Sequence, residues 1–212
     1  MKAVSASVKV LRRLTVYLNY LKELPKDVCN ISSTAIAAAL GQGEVQVRKD
    51  LAFVSSGGRP RVGYSKAELI SDIEEYLGYN QVDDAILVGA GRLGRALLEY
   101  PGFSEVGVNI VAAFDSDPYV TSEKTAGREV FPMSRLPDLC RRMNVKIGIV
   151  AVPKEAAQQI CDLLVENGIL AIWNFAPIHI NVPENILIQN ENLAASLAVL
   201  SRKLQEGLKK EK

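Results

Sequence analysis

The sequence predicts an α/β chain in two parts, helices first and then strands alternating with helices around a parallel sheet. Three observations carry that reading. The apolar run Ala85-Ile86-Leu87-Val88 breaks into Gly89-Ala90-Gly91-Arg92-Leu93-Gly94 and then into a helix-forming segment. A second apolar run, 109–115, ends in the carboxylate of Asp115, 21 residues after Gly94. The charge is also divided. Residues 1–66 hold eleven Lys and Arg against four acids, a balance of +7, so with +1 overall the remaining chain carries −6.

Each glycine of the Gly-x-Gly-x-x-Gly pattern has a mechanical task. Gly89 makes the tight turn out of the strand, Gly91 lets the backbone approach a pyrophosphate, and Gly94 lets helix and strand pack closely. The unpaired N–H groups of the helix's first turn, with the helix dipole, then form an anion site. Asp115 stands where an acid accepts hydrogen bonds from an adenosine ribose, and its charge disfavours a 2′-phosphate. NAD(H) is therefore preferred over NADP(H). Pattern, strand and acid together describe a Rossmann-type domain.

The elements follow in order. Val8, Leu11, Leu14, Leu18 and Leu21 recur at helical spacing through Val8–Leu24, which Pro25 ends. Ser32 or Ser33 caps a short alanine-rich helix, 34–40, and Gly41-Gln42-Gly43 turns the chain. A third helix spans Glu44–Phe53, with Val47, Leu51 and Val54 inward and Gln46, Arg48 and Lys49 on or near the outer face. Three helices with a short glycine turn before the last describe a helix-turn-helix. The basic, glycine-rich loop 55–64 then leads into a short strand, as a wing does. Arg59 or Arg61 at its tip suits the narrow minor groove of A·T-rich DNA. Gln46, Arg48 and Lys49 suit base edges and phosphates in the major groove.

Ser65–Leu77 is a further amphipathic helix, and the polar stretch 78–84 is the boundary between the parts. Beyond Asp115 the chain turns at Asp117-Pro118 and is irregular over 124–131, with a short strand near Val130. A helix over 137–143 precedes the apolar strand 147–152. Pro153 stops that strand and opens the helix 154–166, closed by Asn167-Gly168. Strands at 170–175 and 186–189 follow, then an amphipathic helix over 193–208 and a charged tail, 209–212.

At 212 residues the chain is long enough for one or two domains with a sizeable core, and 48% apolar with 23% charged residues describes a globular protein. No apolar run approaches the roughly 20 residues that span a bilayer, and no signal peptide opens the chain. The three scattered cysteines, Cys29, Cys140 and Cys161, read as reduced thiols of a cytoplasmic protein without metal-ligand spacing.

Seven segments in this order resemble the Rex family, bacterial redox-sensing transcriptional repressors that bind NADH and NAD. They are 46–51 (Gln-Val-Arg-Lys-Asp-Leu), 62–64 (Val-Gly-Tyr), 88–94, and 100–103 (Tyr-Pro-Gly-Phe). The others are 114–118 (Phe-Asp-Ser-Asp-Pro), 152–158 (Val-Pro-Lys-Glu-Ala-Ala-Gln), and 174–177 (Asn-Phe-Ala-Pro) with 181–183. The resemblance implies a winged helix at 1–78, a Rossmann NAD(H)-binding domain at 79–190, and a C-terminal helix and tail, 191–212, exchanged between the subunits of a homodimer. It implies that NADH closes the dimer and releases an inverted-repeat operator in double-stranded DNA, while NAD leaves DNA binding possible. It places Tyr100, Val152, Phe175 and Pro177 around the nicotinamide.

Two departures stand out. The family's wing commonly reads Arg-Gly-Val-Gly-Tyr, where this chain has Pro60-Arg61-Val62-Gly63-Tyr64. In some relatives an arginine on the first helix pairs with an acid on the partner's exchanged helix, where this chain has Asn19 and Asn192.

No enzyme is expected. A dehydrogenase needs a positioned acid or base at the nicotinamide, and the one histidine, His179, lies between Ile178 and Ile180. The alternatives, an NAD-dependent oxidoreductase or a CoA-binding ligase subunit, leave the basic first third unexplained and lack a substrate domain. No catalytic or metal-ligating set is assigned.

Overall fold

The computed structural model describes residues 6–122, 124–125 and 127–210, and the chain divides between Gln81 and Val82 into two compact units. In the first unit, α1 (Val8–Glu23) starts at Ser7, whose hydroxyl accepts from the Val10 amide. Next come β1 (Asn30–Ile31) and α2 (Ser33–Leu40), the latter capped by the Ser32 hydroxyl on the Ala35 N–H at 3.0 Å. Gly41, at φ +61°, ends α2 in the left-handed conformation that glycine adopts without cost. The remaining elements are α3 (Glu44–Val54), β2 (Tyr64–Ser65) and α4 (Lys66–Leu77).

The inward stripes meet in one core, with Leu14, Leu18, Leu21, Ile36, Val47, Leu51, Leu69 and Ile73 fully buried. The strand expected after the wing is β2, but its partner is β1, antiparallel, with Ile31 opposite Tyr64. Two residues carry no alternation, so periodicity does not reveal β1. The pairing fixes the base of the loop against the start of α2.

In the second unit the elements are β3 (Asp83–Val88), α5 (Arg92–Glu99), α6 (Gly102–Glu105), β4 (Val108–Asp115) and α7 (Pro118–Ser122). They continue with β5 (Lys124–Thr125), β6 (Arg128–Pro132), a 3-10 turn, α8 (Leu136–Met143) and β7 (Ile147–Val150). The last are α9 (Lys154–Glu166), β8 (Ala171–Asn174), β9 (Leu187–Asn190) and α10 (Leu193–Lys210).

Among the described residues these strands form a seven-stranded sheet ordered β5-β6-β4-β3-β7-β8-β9, parallel except for the β5–β6 edge pair. Numbered from β3, the parallel part runs 3-2-1-4-5-6, the doubly wound dinucleotide order. Along β3, Ile86 and Val88 pack with Phe114, Val150 and Leu164 on one face, while Ala85 and Leu87 pack with Ile110, Ile149 and Leu98 on the other. Burial on both faces is what a continuous apolar run implies for a parallel strand.

The short helices α6 and α7 stand where the sequence led to no helix, and two strand regions also differ. The irregular 124–131 contains a β5–β6 hairpin turning at Gly127, φ +73°. β6 carries only Val130 and Phe131 as apolar residues between charges, so its pattern is faint. The strand expected over 147–152 stops at Val150, opposite Asn174. Beyond it, Ala151 donates to the Val88 carbonyl at 2.8 Å and its backbone crosses directly over Gly89.

Candidate functional sites

The parallel strands deliver their carboxyl ends to one edge of the sheet, and β3 is flanked there by β4 and β7, whose connections leave in opposite directions. At this switch point a cavity of about 640 Å³ opens. Its lining includes Gly89, Gly91, Asp115, Ser116, Val152 and Pro153, with Met133, Ile160 and Leu163 further along.

Gly89 and Gly94 have the tight turn and the close packing that their spacing implies. Gly89 stands at φ +96°, and a Cβ there would come within 2.5 Å of the Ala151 carbonyl oxygen. A Cβ at Gly94 would lie 1.9 Å from the Gly89 carbonyl oxygen, so helix and turn touch there. At Gly91 a Cβ would meet nothing within 4 Å. The one glycine with open space beside it faces the cavity, where an incoming phosphate needs backbone contact. The N–H groups of the first turn of α5 have no intrahelical acceptor, which is the arrangement of an anion site.

Asp115 closes the loop from the other side. Its Oδ2 accepts from the Ala90 N–H at 2.7 Å and its Oδ1 from the Asp117 N–H at 2.9 Å. A carboxylate offers about four lone-pair sites, so two remain for hydroxyl donors of a ligand. Asp117 in turn caps α7 through the Tyr119 N–H at 2.9 Å.

The cavity gathers Gly89, Gly91, Asp115 and Val152. Ala90 is buried behind the loop, while Arg92 and Leu93 lie exposed on the first turn of α5. Tyr100, Phe175 and Pro177 lie outside the cavity lining. Tyr100 is exposed and meets Phe103 edge-on at 5.0 Å, Phe103 meets Trp173 at 5.6 Å, and Trp173 meets Phe175 at 4.5 Å. Pro177 and His179 line a separate notch of about 280 Å³ with Asn190, Glu191 and Asn192. Cys140 and Cys161 are buried, and burial pushes the Cys161 thiol up to about 11, which keeps it protonated and unreactive.

In the first unit, Gln46, Arg48 and Lys49 are exposed along α3, as are Arg59 and Arg61 on the loop. The loop closes on itself where Arg59 and Gly63 exchange two backbone hydrogen bonds of 2.9 Å. Arg61 stands at its tip with φ +66°, a conformation costing a non-glycine residue about 1–2 kcal/mol. The family's commoner glycine at this position avoids that cost.

The sequence reading missed a buried polar knot behind α3. Asp50, 1% exposed, accepts from Arg13 Nε at 2.6 Å and from the other end of the guanidinium fork at 2.8 Å. It also accepts from the Tyr17 hydroxyl at 3.0 Å and from Gln46 Nε2 at 2.8 Å. Burial alone would raise the Asp50 carboxyl, but the donors Arg13, Gln46 and Tyr17 outweigh it and hold the group below its usual range. Burial and the bond to Asp50 push the Tyr17 hydroxyl up to about 12. The knot ties α3 to α1 and anchors the amide of the otherwise exposed Gln46. The helical phase held the signal, since Asp50, three residues after Val47, falls beside it at the edge of the inward side.

Helices presented by a helix-turn-helix unit, in one chain with a dinucleotide-type sheet, define a ligand-responsive DNA-binding regulator. A family model described as a CoA binding domain matches residues 80–178, and one described as a putative DNA-binding protein N-terminus matches 6–52. The redox-sensing transcriptional repressor Rex of Pelotomaculum thermopropionicum is 40% identical over 202 residues, 95% of each chain. The Rex protein of Porphyromonas gingivalis is 42% identical over 196 residues, 92% of this chain and 90% of that one. A crystal structure of RSP in complex with β-NAD+ and operator DNA superposes with a TM-score of 0.90 at 37% identity, covering 98% of this chain and 97% of that one. RSP in complex with β-NADH gives 0.87 at 37% identity, covering 98% and 99%. The chain belongs to the Rex family of redox-sensing transcriptional repressors, regulators rather than enzymes.

Proposed function

We propose that this protein represses transcription in the cytoplasm according to the ratio of NADH to NAD, binding both in the cavity beside Gly91. The open space at Gly91, between the two glycines that no other residue could replace without collision, carries the reading. Pyrophosphate sits on the first turn of α5, through Gly91, Arg92 and Leu93, with Gly89, Ala90 and Gly94 shaping the loop, and Asp115 takes the adenosine ribose. Tyr100, Val152, Phe175 and Pro177 belong to the nicotinamide end, where their largely apolar character favours the neutral reduced ring. A hundredfold preference needs only about 2.7 kcal/mol, and burying a charged pyridinium without a partner costs that much.

Gln46, Arg48 and Lys49 enter the major groove, and Arg59 and Arg61 address the minor groove of an inverted-repeat operator. A two-fold repeat requires a two-fold protein. α10 supplies the surface: Leu193, Leu197, Leu200, Leu204 and Leu208 are each at least half exposed, an apolar stripe that a second copy covers by helix exchange. NADH closes that dimer and releases DNA. Among the described residues no helix is long and apolar enough to cross a membrane.

CoA, named by one matching domain model, is the second reading. The charged residues lining the cavity, Asp115, Asp162 and Glu166, are all acidic and repel its 3′-phosphate. Calorimetric titration with NADH, NADPH and CoA, beside an operator mobility shift, tests the proposal. NADH binding in preference to both others, with Arg48→Ala weakening DNA binding alone, supports it. CoA binding in preference to NADH overturns it.

A further inference from the structure

The loop that carries Phe175 and Pro177 is not simply an edge of the pocket. It is held from within by Asn174, fully buried at the carboxyl end of β8. The Asn174 amide nitrogen donates to the Ala176 carbonyl at 3.1 Å, and its Oδ1 accepts from the Ala176 N–H at 2.9 Å. The same amide nitrogen reaches the Ile178 carbonyl at 3.4 Å and Asn190 Oδ1 at 2.8 Å. One side chain thus fixes both the loop 174–178 and the end of β9.

Two further bonds join this end of β8 to Glu191, the residue after β9. The Glu191 N–H donates to the Asn174 carbonyl at 2.8 Å, and Trp173 Nε1 donates to Glu191 Oε1 at 3.2 Å. Trp173 in turn packs against Phe175. Asn192 follows at once, and its side chain caps α10 through the Ala195 N–H at 2.8 Å. So Asn190 and Glu191, at the end of the last strand, are bonded to Asn174 and Trp173 at the foot of the loop bearing Phe175 and Pro177, and Asn192 next to them caps the apolar helix. Loop and linker share the walls of the 280 Å³ notch.

From this juxtaposition we infer that Asn190 and Glu191 are positioning residues that transmit the state of the Phe175–Pro177 loop to the root of α10. The inference rests on the proposed NADH response. A ring that displaces Phe175 moves Trp173 and Ala176, and the bonds to Glu191 and Asn190 carry that displacement into the linker. Both are outside the cavity lining, and the Asn190 side chain is exposed, so trimming them loosens transmission without emptying the site. Coupling between two sites is a ratio of affinities and is reciprocal, which makes it measurable apart from either affinity.

The test compares the unmodified chain with Asn190→Ala, Glu191→Ala, their combination, and the conservative Glu191→Gln, which keeps an acceptor for Trp173 Nε1. Calorimetry gives the NADH dissociation constant with and without saturating operator DNA, and thermal melting reports folding. The expected result is an NADH affinity of the free protein within about twofold of the unmodified chain. The coupling ratio should fall about tenfold in the double variant and recover with Glu191→Gln. A coupling ratio unchanged in the folded double variant overturns the inference, as does a parallel loss of NADH affinity, which would assign these residues to the pocket itself. Failure of the unmodified chain to bind NADH or to release DNA overturns the proposed function, and is seen before any variant is compared.

Discussion

Replacing Gly91 with alanine places a methyl group where the structure has open space, so the folded chain has nothing to rearrange. The backbone there stands at φ −67° and ψ −161°, which alanine adopts freely. Stiffening the unfolded chain contributes about 0.4–1 kcal/mol, and the weaker helix cap costs a similar amount, so stability changes by less than about 0.5 kcal/mol. The ligand meets a different situation. A methyl group beside the first turn of α5 holds a phosphate away from its N–H donors. Losing two charge-assisted hydrogen bonds, at about 1.5 kcal/mol or more each, weakens NADH roughly a hundredfold. Gly94→Ala is the contrasting perturbation. Its methyl falls 1.9 Å from the Gly89 carbonyl oxygen, inside the packed turn. The helix must shift, at about 3 kcal/mol or more, lowering the melting temperature by on the order of 5–10 °C. Calorimetric titration with NADH beside scanning fluorimetry separates the two effects. Unchanged NADH affinity in Gly91→Ala, or a loss matched by a fall in melting temperature, would refute the assignment of the pyrophosphate to this turn.

Asp115→Ala removes the proposed ribose acceptor and the tie to Ala90, and should weaken NADH by about 1.5–3 kcal/mol while narrowing the gap to NADPH in parallel titrations. Arg61→Gly relieves the left-handed strain at the loop tip, so it should raise the melting temperature of the first unit yet weaken operator binding. Movement of both quantities in one direction would remove Arg61 from the DNA interface. Asp50 has a folded pKa below its unfolded value of about 3.9, so its contribution is present above about pH 4 and lost as pH falls through the lower folded value. The stability difference between the unmodified chain and Asp50→Asn should therefore shrink below pH 4 in denaturant titrations. Tyr17 and Cys161, raised to about 12 and about 11, act in the opposite sense. Their contributions are full below pH 10 and pH 9 and disappear as pH rises through those raised values.

The glycine loop was legible because its roles are local: a left-handed turn, a close approach and an open face follow from three residues and a strand before them. The sheet was legible where strands are buried on both sides, as at 85–88 and 109–115, and faint at β6, whose apolar residues stand between charges. Helix ends at Ser32, Ser65 and Gly78 carried their own capping chemistry. What the sequence hid depends on partners far apart in the chain. Arg13 and Asp50 are 37 positions apart and look like surface charges until α1 and α3 pack. The β1–β2 pair joins two-residue strands 34 positions apart, and the Asn174–Asn190 bond spans 16. Asn192 has a capping task that its neutral amide performs as well as an acid would, which its alignment with a switch position does not reveal. The length and stripe of α10 were readable, and its leucines remain exposed in the single chain.

The central claim is tested most directly by operator binding at a fixed total concentration of NAD and NADH while the reduced fraction is varied. Fluorescence anisotropy of a labelled inverted repeat reports occupancy at each ratio. The account requires DNA to remain bound when NAD predominates and to be released as the reduced fraction rises, with the midpoint set by the ratio and not by the total. In Gly91→Ala the response should vanish while DNA binding without dinucleotide persists. Occupancy that ignores the reduced fraction, or that follows total dinucleotide alone, would contradict the account.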